Sequence, residues 1–197
     1  MKQLTVGILL FDEVEVLDFA GPFEVFSLAS ALDSGEKCFN VITISEKDEL
    51  LSARNGLKVK SDYLLTNHPK LDIAIIPGGK GAEEIEIHNP EVISWIREQK
   101  KSVTVMASVC TGALLLAQAG LLDGRKATTH WMDTQRLEQE FPEVEVLRGV
   151  KYVDEADIVT SGGISAGINM SFHLVSRFCG QETARQTAKR MEYDIDI

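Results

Sequence analysis

An α/β fold with a largely parallel sheet is predicted by three observations. Apolar runs alternate with stretches of helical periodicity along most of the 197 residues. The run Leu71–Ile76, apolar but for Asp72 near its start, reads as a strand buried within a parallel sheet. Val103–Ala107, rich in β-branched and apolar residues and too short for a helix, is followed from Ala113 by Ala, Leu and Gln, all strong helix formers. A strand that turns directly into a helix, with Cys110 at the turn, is the signature of a nucleophile elbow.

The elements follow in order. Leu4–Phe11 reads as a buried first strand. Pro22 lies where a first-turn proline belongs, so a helix is expected to start there, run through Phe23, Val25, Phe26, Leu28, Ala29 and Leu32, and end near Asp33-Ser34-Gly35. Phe39–Ser45 is a strand, and Leu50–Val59 with Asn55-Gly56 is a hairpin. Leu71–Ile76 closes at Pro77-Gly78-Gly79. Residues 82–100 are helical with a break at Asn89-Pro90, because proline disfavours helix before it and starts helix well. After the elbow, Thr134–Phe141 is helical, Val144–Leu147 and Lys151–Thr160 are strands, and Gly167–Cys179 and Gln181–Met191 are two closing helices. No repeat, low-complexity segment or linker interrupts this pattern, so residues 1–197 are expected to form a single domain.

Charge and cysteine usage narrow the function. Thirty acidic against 20 basic residues give a net charge of −10, which disfavours a nucleic-acid partner; Lys100-Lys101 and Lys189-Arg190 are isolated pairs suited to helix C-terminal ends. Cys38, Cys110 and Cys179 show no paired framework or metal-binding spacing, which argues for a reducing compartment and against structural zinc. The apolar N-terminal run carries one positive charge and is followed by Asp12 and Glu13 rather than a cleavage site. A cytoplasmic protein with no membrane partner is expected.

At the elbow, Ser108 and Gly112 flank Cys110 at two residues on either side, where small residues relieve crowding. A helix N-terminus favours negative charge, so the Cys110 thiol is expected to have a lowered pKa and to act as a nucleophile; the alternative is a small buried packing cysteine. In open α/β sheets ligands gather at the carboxyl ends of strands, where strand order reverses. The turns after the first strand, at Pro77-Gly78-Gly79 and at Cys110 are therefore expected to converge.

The segments Leu9-Leu10-Phe11-Asp12-Glu13-Val14, Leu17-Asp18-Phe19-Ala20-Gly21-Pro22, Ile76-Pro77-Gly78-Gly79, Ser108-Val109-Cys110-Thr111-Gly112, Ala127-Thr128-Thr129-His130-Trp131 and Thr160–Ile168 together resemble the ThiJ/PfpI superfamily. Within it they are similar to the branch of isonitrile hydratases and the sensor domains of AraC-like regulators. The resemblance implies a flavodoxin-like sandwich, with helices on both faces of the sheet, and a homodimer. It places Cys110 as nucleophile, Asp18 as the adjacent carboxylate, Gly78 and Gly79 as the glycines whose amides face the cysteine and receive substrate or oxyanion, Thr111 as a catalytic residue where protease-like members carry His, and His130 near the site. Each has a second reading from the residues alone: Asp18 as a helix cap, the glycines as a tight turn, Thr111 as a helix-start residue, His130 as a satisfied side chain. A glutaminase triad is disfavoured, since His173 is followed by Leu174 and Val175.

The activity so implied is hydration of a small-molecule isonitrile to an N-substituted formamide, with a Cys110 thioimidate, Asp18 as acid and no metal or organic cofactor. Two other readings stand beside it: glyoxalase- or deglycase-like attack on an α-oxoaldehyde, and a ligand or redox sensor without turnover.

Overall fold

The computed structural model describes residues 3–195, and the strand nearest the N-terminus lies in the interior of its sheet. Met1, Lys2, which supplies the positive charge of the N-terminal run, Asp196 and Ile197 lie outside the described residues. Strand β1 (Leu4–Leu10) leads through helix α1 (Val16–Leu28) to β2 (Phe39–Ser45) and the short edge strand β3 (Tyr63–Leu64). The chain then crosses to the other side of β1 with β4 (Ile73–Ile76), α2 (Lys80–Glu84), α3 (Pro90–Lys100), β5 (Val105–Ser108), α4 (Gly112–Gln118) and α5 (Thr134–Glu140). It ends with β6 (Tyr152–Asp154), β7 (Ile158–Ser161), α6 (Ala166–Cys179) and α7 (Gln181–Arg190).

The seven strands stand in the order β6-β7-β5-β4-β1-β2-β3, every neighbouring pair parallel except β6 and β7. Order therefore reverses between β1 and β4, and the crevice above that reversal is where an α/β sheet binds its ligands. Register brings the carboxyl ends level: Ile76 and Thr160 both pair with Ser108. Helices α1, α6 and α7 pack as one group and α2 to α5 as another, the arrangement of a flavodoxin-like sandwich. The β4 side chains are fully buried, as the unbroken apolar run predicts.

Three expectations are corrected. Helix α1 starts six residues before Pro22, so the proline lies inside it rather than in its first turn. Pro22 has no N–H for the Asp18 carbonyl, but Gly21 before it has no Cβ to crowd the ring, and α1 gains a close approach to α6: a Cβ on Gly21 would lie 2.9 Å from Ile168. The same helix stops at Leu28, and residues 29–37 fold back in a turn with Ala31 N–H donating to the Glu36 carbonyl. Lys151–Thr160 is not one strand but the antiparallel pair β6 and β7. Its turn hides because it uses Asp154, whose Oδ1 accepts the Ala156 N–H at 2.8 Å, and Ala156 at φ 69°, with no glycine. Elsewhere the expected hairpin forms between Leu51–Ser52 and Lys58–Val59, and Asn89 caps α3 by accepting the Glu91 N–H.

Candidate active site

The turn after β5 has little room. Val109 N–H donates to the Ile76 carbonyl and Cys110 N–H to that of Gly162, which ties the elbow to the strands on both sides. A Cβ on Gly112 would lie 2.1 Å from the Ile76 carbonyl oxygen, so only glycine lets α4 begin here. Cys110 is held at φ 56°, in the left-handed region that costs a non-glycine residue about 1 kcal/mol or more. Its carbonyl accepts the Thr129 hydroxyl at 2.8 Å.

Asp18, in the first turn of α1, is completely buried. Its Oδ2 accepts the Gly78 N–H at 2.9 Å, whereas Oδ1 has no hydrogen-bond partner. Burial pushes this carboxyl up to about 7, against the Gly78 amide, which pulls it down; the Glu15 charge raises it further, and the Cys110 thiol and Ile164 amide lower it. No cation stands among these influences.

Cys110 is itself buried, and its thiol pKa is raised, not lowered as the helix position led us to expect. Burial is the main cause and the Asp18 charge the second, outweighing the Thr111 amide and hydroxyl and the Ile164 amide, which favour thiolate. A helix of seven residues offers little dipole against desolvation. The two groups titrate as a pair: the Asp18 contribution exists only while Asp18 is ionised, so a thiolate is least costly when the carboxyl holds the proton.

The glycine pair is fixed by crowding. A Cβ on Gly78 would lie 2.4 Å from the Thr111 nitrogen, and one on Gly79, at φ 120°, 2.4 Å from the Glu15 nitrogen. Contrary to the expected oxyanion role, both amides already have acceptors, Gly78 in Asp18 and Gly79 in the Thr111 hydroxyl at 2.9 Å. Thr111 is completely buried. His130 lies against Gly163, where a Cβ would approach its ring to 2.0 Å, and its Nδ1 is 3.4 Å from Asp133. It borders the elbow through Gly163 and its neighbour Thr129, one layer out from the Asp18–Cys110 pair. Among the described residues no His, Cys, Asp and Glu cluster suits a metal ion.

Two further residues border the pair without any role predicted from sequence, Ile164 within the Thr160–Ile168 segment and Glu83. Ile164, at φ 53°, turns its amide toward both Asp18 and Cys110. Glu83, one turn into α2, is half-buried, and that burial raises its pKa against the nearby Thr111 hydroxyl, which favours the ionised carboxylate. Nothing in the sequence separates Glu83 from Glu84 beside it.

The comparisons agree with this fold. The DJ-1/PfpI family model matches residues 4–177. Isonitrile hydratase of Pseudomonas putida is 34% identical over 191 residues, which cover 96% of this chain and 78% of that enzyme. The HTH-type transcriptional regulator GbdR of Pseudomonas aeruginosa is 28% identical over 190 residues, 96% of this chain and 51% of the regulator, so the chain spans about half of that relative's length. A ThiJ/PfpI family protein from Pseudomonas syringae superposes with a TM-score of 0.87 at 24% identity, covering 100% of this chain and 78% of that one. For Drosophila melanogaster DJ-1beta the TM-score is 0.85 at 17% identity, with 98% and 100% covered. An elbow cysteine paired with a buried carboxyl, on this sheet and with these relatives, has one conclusion: the chain belongs to the DJ-1/PfpI family.

Proposed function

We propose that this protein hydrates an isonitrile to an N-substituted formamide, with Cys110 as nucleophile and Asp18 as acid and base. The observation that carries the reading is Asp18: fully buried, without a cation, anchored by one oxygen and unpartnered at the other beside the thiol. A carboxyl so placed is poised to exchange a proton near neutral pH. The 34% identity to an isonitrile hydratase supports the choice of substrate.

The chemistry balances with one proton shared by the pair. Asp18 takes the Sγ proton; the thiolate bonds to the isonitrile carbon while the Asp18 carboxyl delivers that proton to the same carbon, giving the thioimidate R–N=CH–S–Cys110. Water then adds to the imidate carbon as Asp18 accepts its proton and passes it to nitrogen. The C–S bond breaks, releasing R–NH–CHO and the Cys110 thiol. In this scheme Thr111 orients the water, Gly78 aims Asp18, and Gly79 fixes Thr111. His130 supports the elbow from outside the reacting pair. These steps call for no metal or organic cofactor. A cytoplasmic homodimer of residues 1–197 as a single domain, without nucleic-acid or membrane partners, is the working unit in this reading; light scattering on the purified protein tests the dimer.

The deciding experiment follows formamide appearance from a simple aliphatic isonitrile across pH. The one-proton pair is the working form, so kcat/KM is expected to rise with pH through about 7, where Asp18 ionises. A fall through that pH means that the two-proton form acts instead. Methylglyoxal run alongside is expected to give little or no lactate, since the carboxyl is one methylene shorter than Glu. A preference for methylglyoxal moves the chain to the glyoxalase reading. The match to GbdR favours one further reading, a ligand sensor without turnover, and inactivity on both substrates leaves that one standing.

A further inference from the structure

Beside the elbow lies a cavity of about 310 Å³ whose lining includes none of Cys110, Asp18 and Thr111. It shares a wall with the nucleophile, however. Thr129 and Gly162 line it, and the first donates its hydroxyl to the Cys110 carbonyl at 2.8 Å while the second accepts the Cys110 N–H at 3.1 Å. Thr128 lines it too and is only 2% exposed, yet its hydroxyl bonds to no described residue, unlike those of Thr129 and Thr134. Trp131, also in the lining, is 76% exposed, although an indole is among the side chains that gain most from burial. The lining holds two basic side chains and no acidic one, in a chain of net charge −10. Arg148 is held by Glu138, at 3.3 and 2.9 Å, whereas the Lys151 ammonium has no ion pair among the described residues. Ala166 adds the positive end of the 14-residue helix α6.

We propose that this cavity is a second ligand site, which takes a small aromatic carboxylate and reports its occupancy to Cys110. The ring stacks on the Trp131 indole, and the two carboxylate oxygens take the Lys151 ammonium and the Thr128 hydroxyl. The volume suits one such molecule. A neutral ligand of the same shape leaves the lysine and the helix end without an anion, and a bare anion leaves the indole uncovered. The occupant packs on the two residues that hold Cys110 at φ 56°. A reagent reaches the buried thiol when this wall opens locally, and a ligand that binds only the closed wall lowers the open fraction by the factor 1 + [L]/Kd. The site needs no turnover, so it stands whether the chain hydrates isonitriles or only senses ligands.

Benzoate is the probe, with benzamide as its uncharged counterpart and acetate as the charge without the ring. Calorimetric titration of the wild-type protein is expected to show saturable binding of benzoate, binding of benzamide about fivefold weaker or less, and none of acetate. Lys151 and Trp131 are both exposed, so their variants should fold. Lys151→Met, which keeps the stem, should erase the preference for benzoate over benzamide, and Trp131→Ala should weaken both about tenfold. At benzoate ten times its Kd, alkylation of Cys110 by iodoacetamide, followed by peptide mapping, should slow about tenfold in wild type. At that same concentration the slowing should largely vanish in both variants. Absent benzoate binding, equal binding of benzamide, or binding indifferent to either variant overturns the site. Protection of Cys110 that persists undiminished in both variants places benzoate at the catalytic pair instead and overturns it too. Unchanged alkylation in saturated wild type overturns the report to Cys110. A Trp131→Ala protein that falls apart into smaller species in light scattering assigns the indole to an interface between copies, which also overturns the site.

Discussion

The two ends of one sheet treat aspartate in opposite ways. At the amino end, Asp157 precedes β7 and meets Lys100 and Arg125, each at 2.6 Å, and these partners hold its pKa down to about 2. Asp72, before β4, accepts the Thr5 N–H at 2.8 Å and so ties β4 to β1. At the carboxyl end, Asp18 is buried without a cation and its pKa rises to about 7. One end uses carboxylates to join elements together; the other holds a carboxyl that the fold would prefer neutral. Such uncompensated burial beside a strained cysteine costs stability, and a fold retains such costs where chemistry uses them.

The largest expected effect separates the two ends by activity. Asp18→Asn and Cys110→Ala should each lower isonitrile turnover by about a thousandfold or more, because one removes the proton carrier and the other the nucleophile. Asp157→Asn should stay within about twofold of wild type, being at the far end of the strands. Asn keeps a side-chain oxygen able to accept the Gly78 N–H, so an Asp18 that served only as that anchor would tolerate the change. Substantial turnover in Asp18→Asn would assign the proton to another group and remove the functional contrast between the ends.

Much of this difference is legible in the sequence, though unevenly. The strand-to-helix transition at Cys110 and the apolar run of β4 are local patterns, so their positions follow from residue type and spacing. The start of α1 does not, because Pro22 signals a helix start and only packing against Ile168 explains why the helix continues through it. The thiol pKa is misjudged for a related reason: helix position is readable, whereas the burial of Cys110 and its contact with Asp18 are products of tertiary structure. Glu83 carries no local sign either, since its nearness to Thr111 is made by the fold, which brings the two from different elements.

A second test compares stability with pH. Asp18 has its folded pKa raised from 3.8 to about 7, so the folded state binds the extra proton between those values. Stability is fully present below pH 3.8, declines as pH rises, and is lowest above about 7. The Asn variant lacks this titration. It should therefore gain on wild type as pH rises from 5 to 8, by an amount on the order of 3 kcal/mol at most, measured by urea unfolding at each pH. A constant difference across that range would mean that the Asp18 carboxyl is not held neutral by burial.

The smallest effect belongs to Asp157 and should carry the opposite sign. Its folded pKa is lowered from 3.8 to about 2, so the contribution is present above 3.8 and is lost as pH falls through 2. The full shift overstates the energy, because the Asp157 side chain is 43% exposed and solvent screens its pairs. Asp157→Asn is expected to cost about 1 kcal/mol at pH 7, less in high salt, and a vanishing amount as pH falls below about 2. Lys100 and Arg125 converge on this one carboxylate from α3 and from the segment after α4, so the loss should appear as earlier fraying of those segments in hydrogen exchange rather than as a change at the elbow. Altered exchange at Val109 and Cys110 in this variant would show that the two ends of the sheet are coupled, and the separation of structural from chemical aspartates would have to be given up.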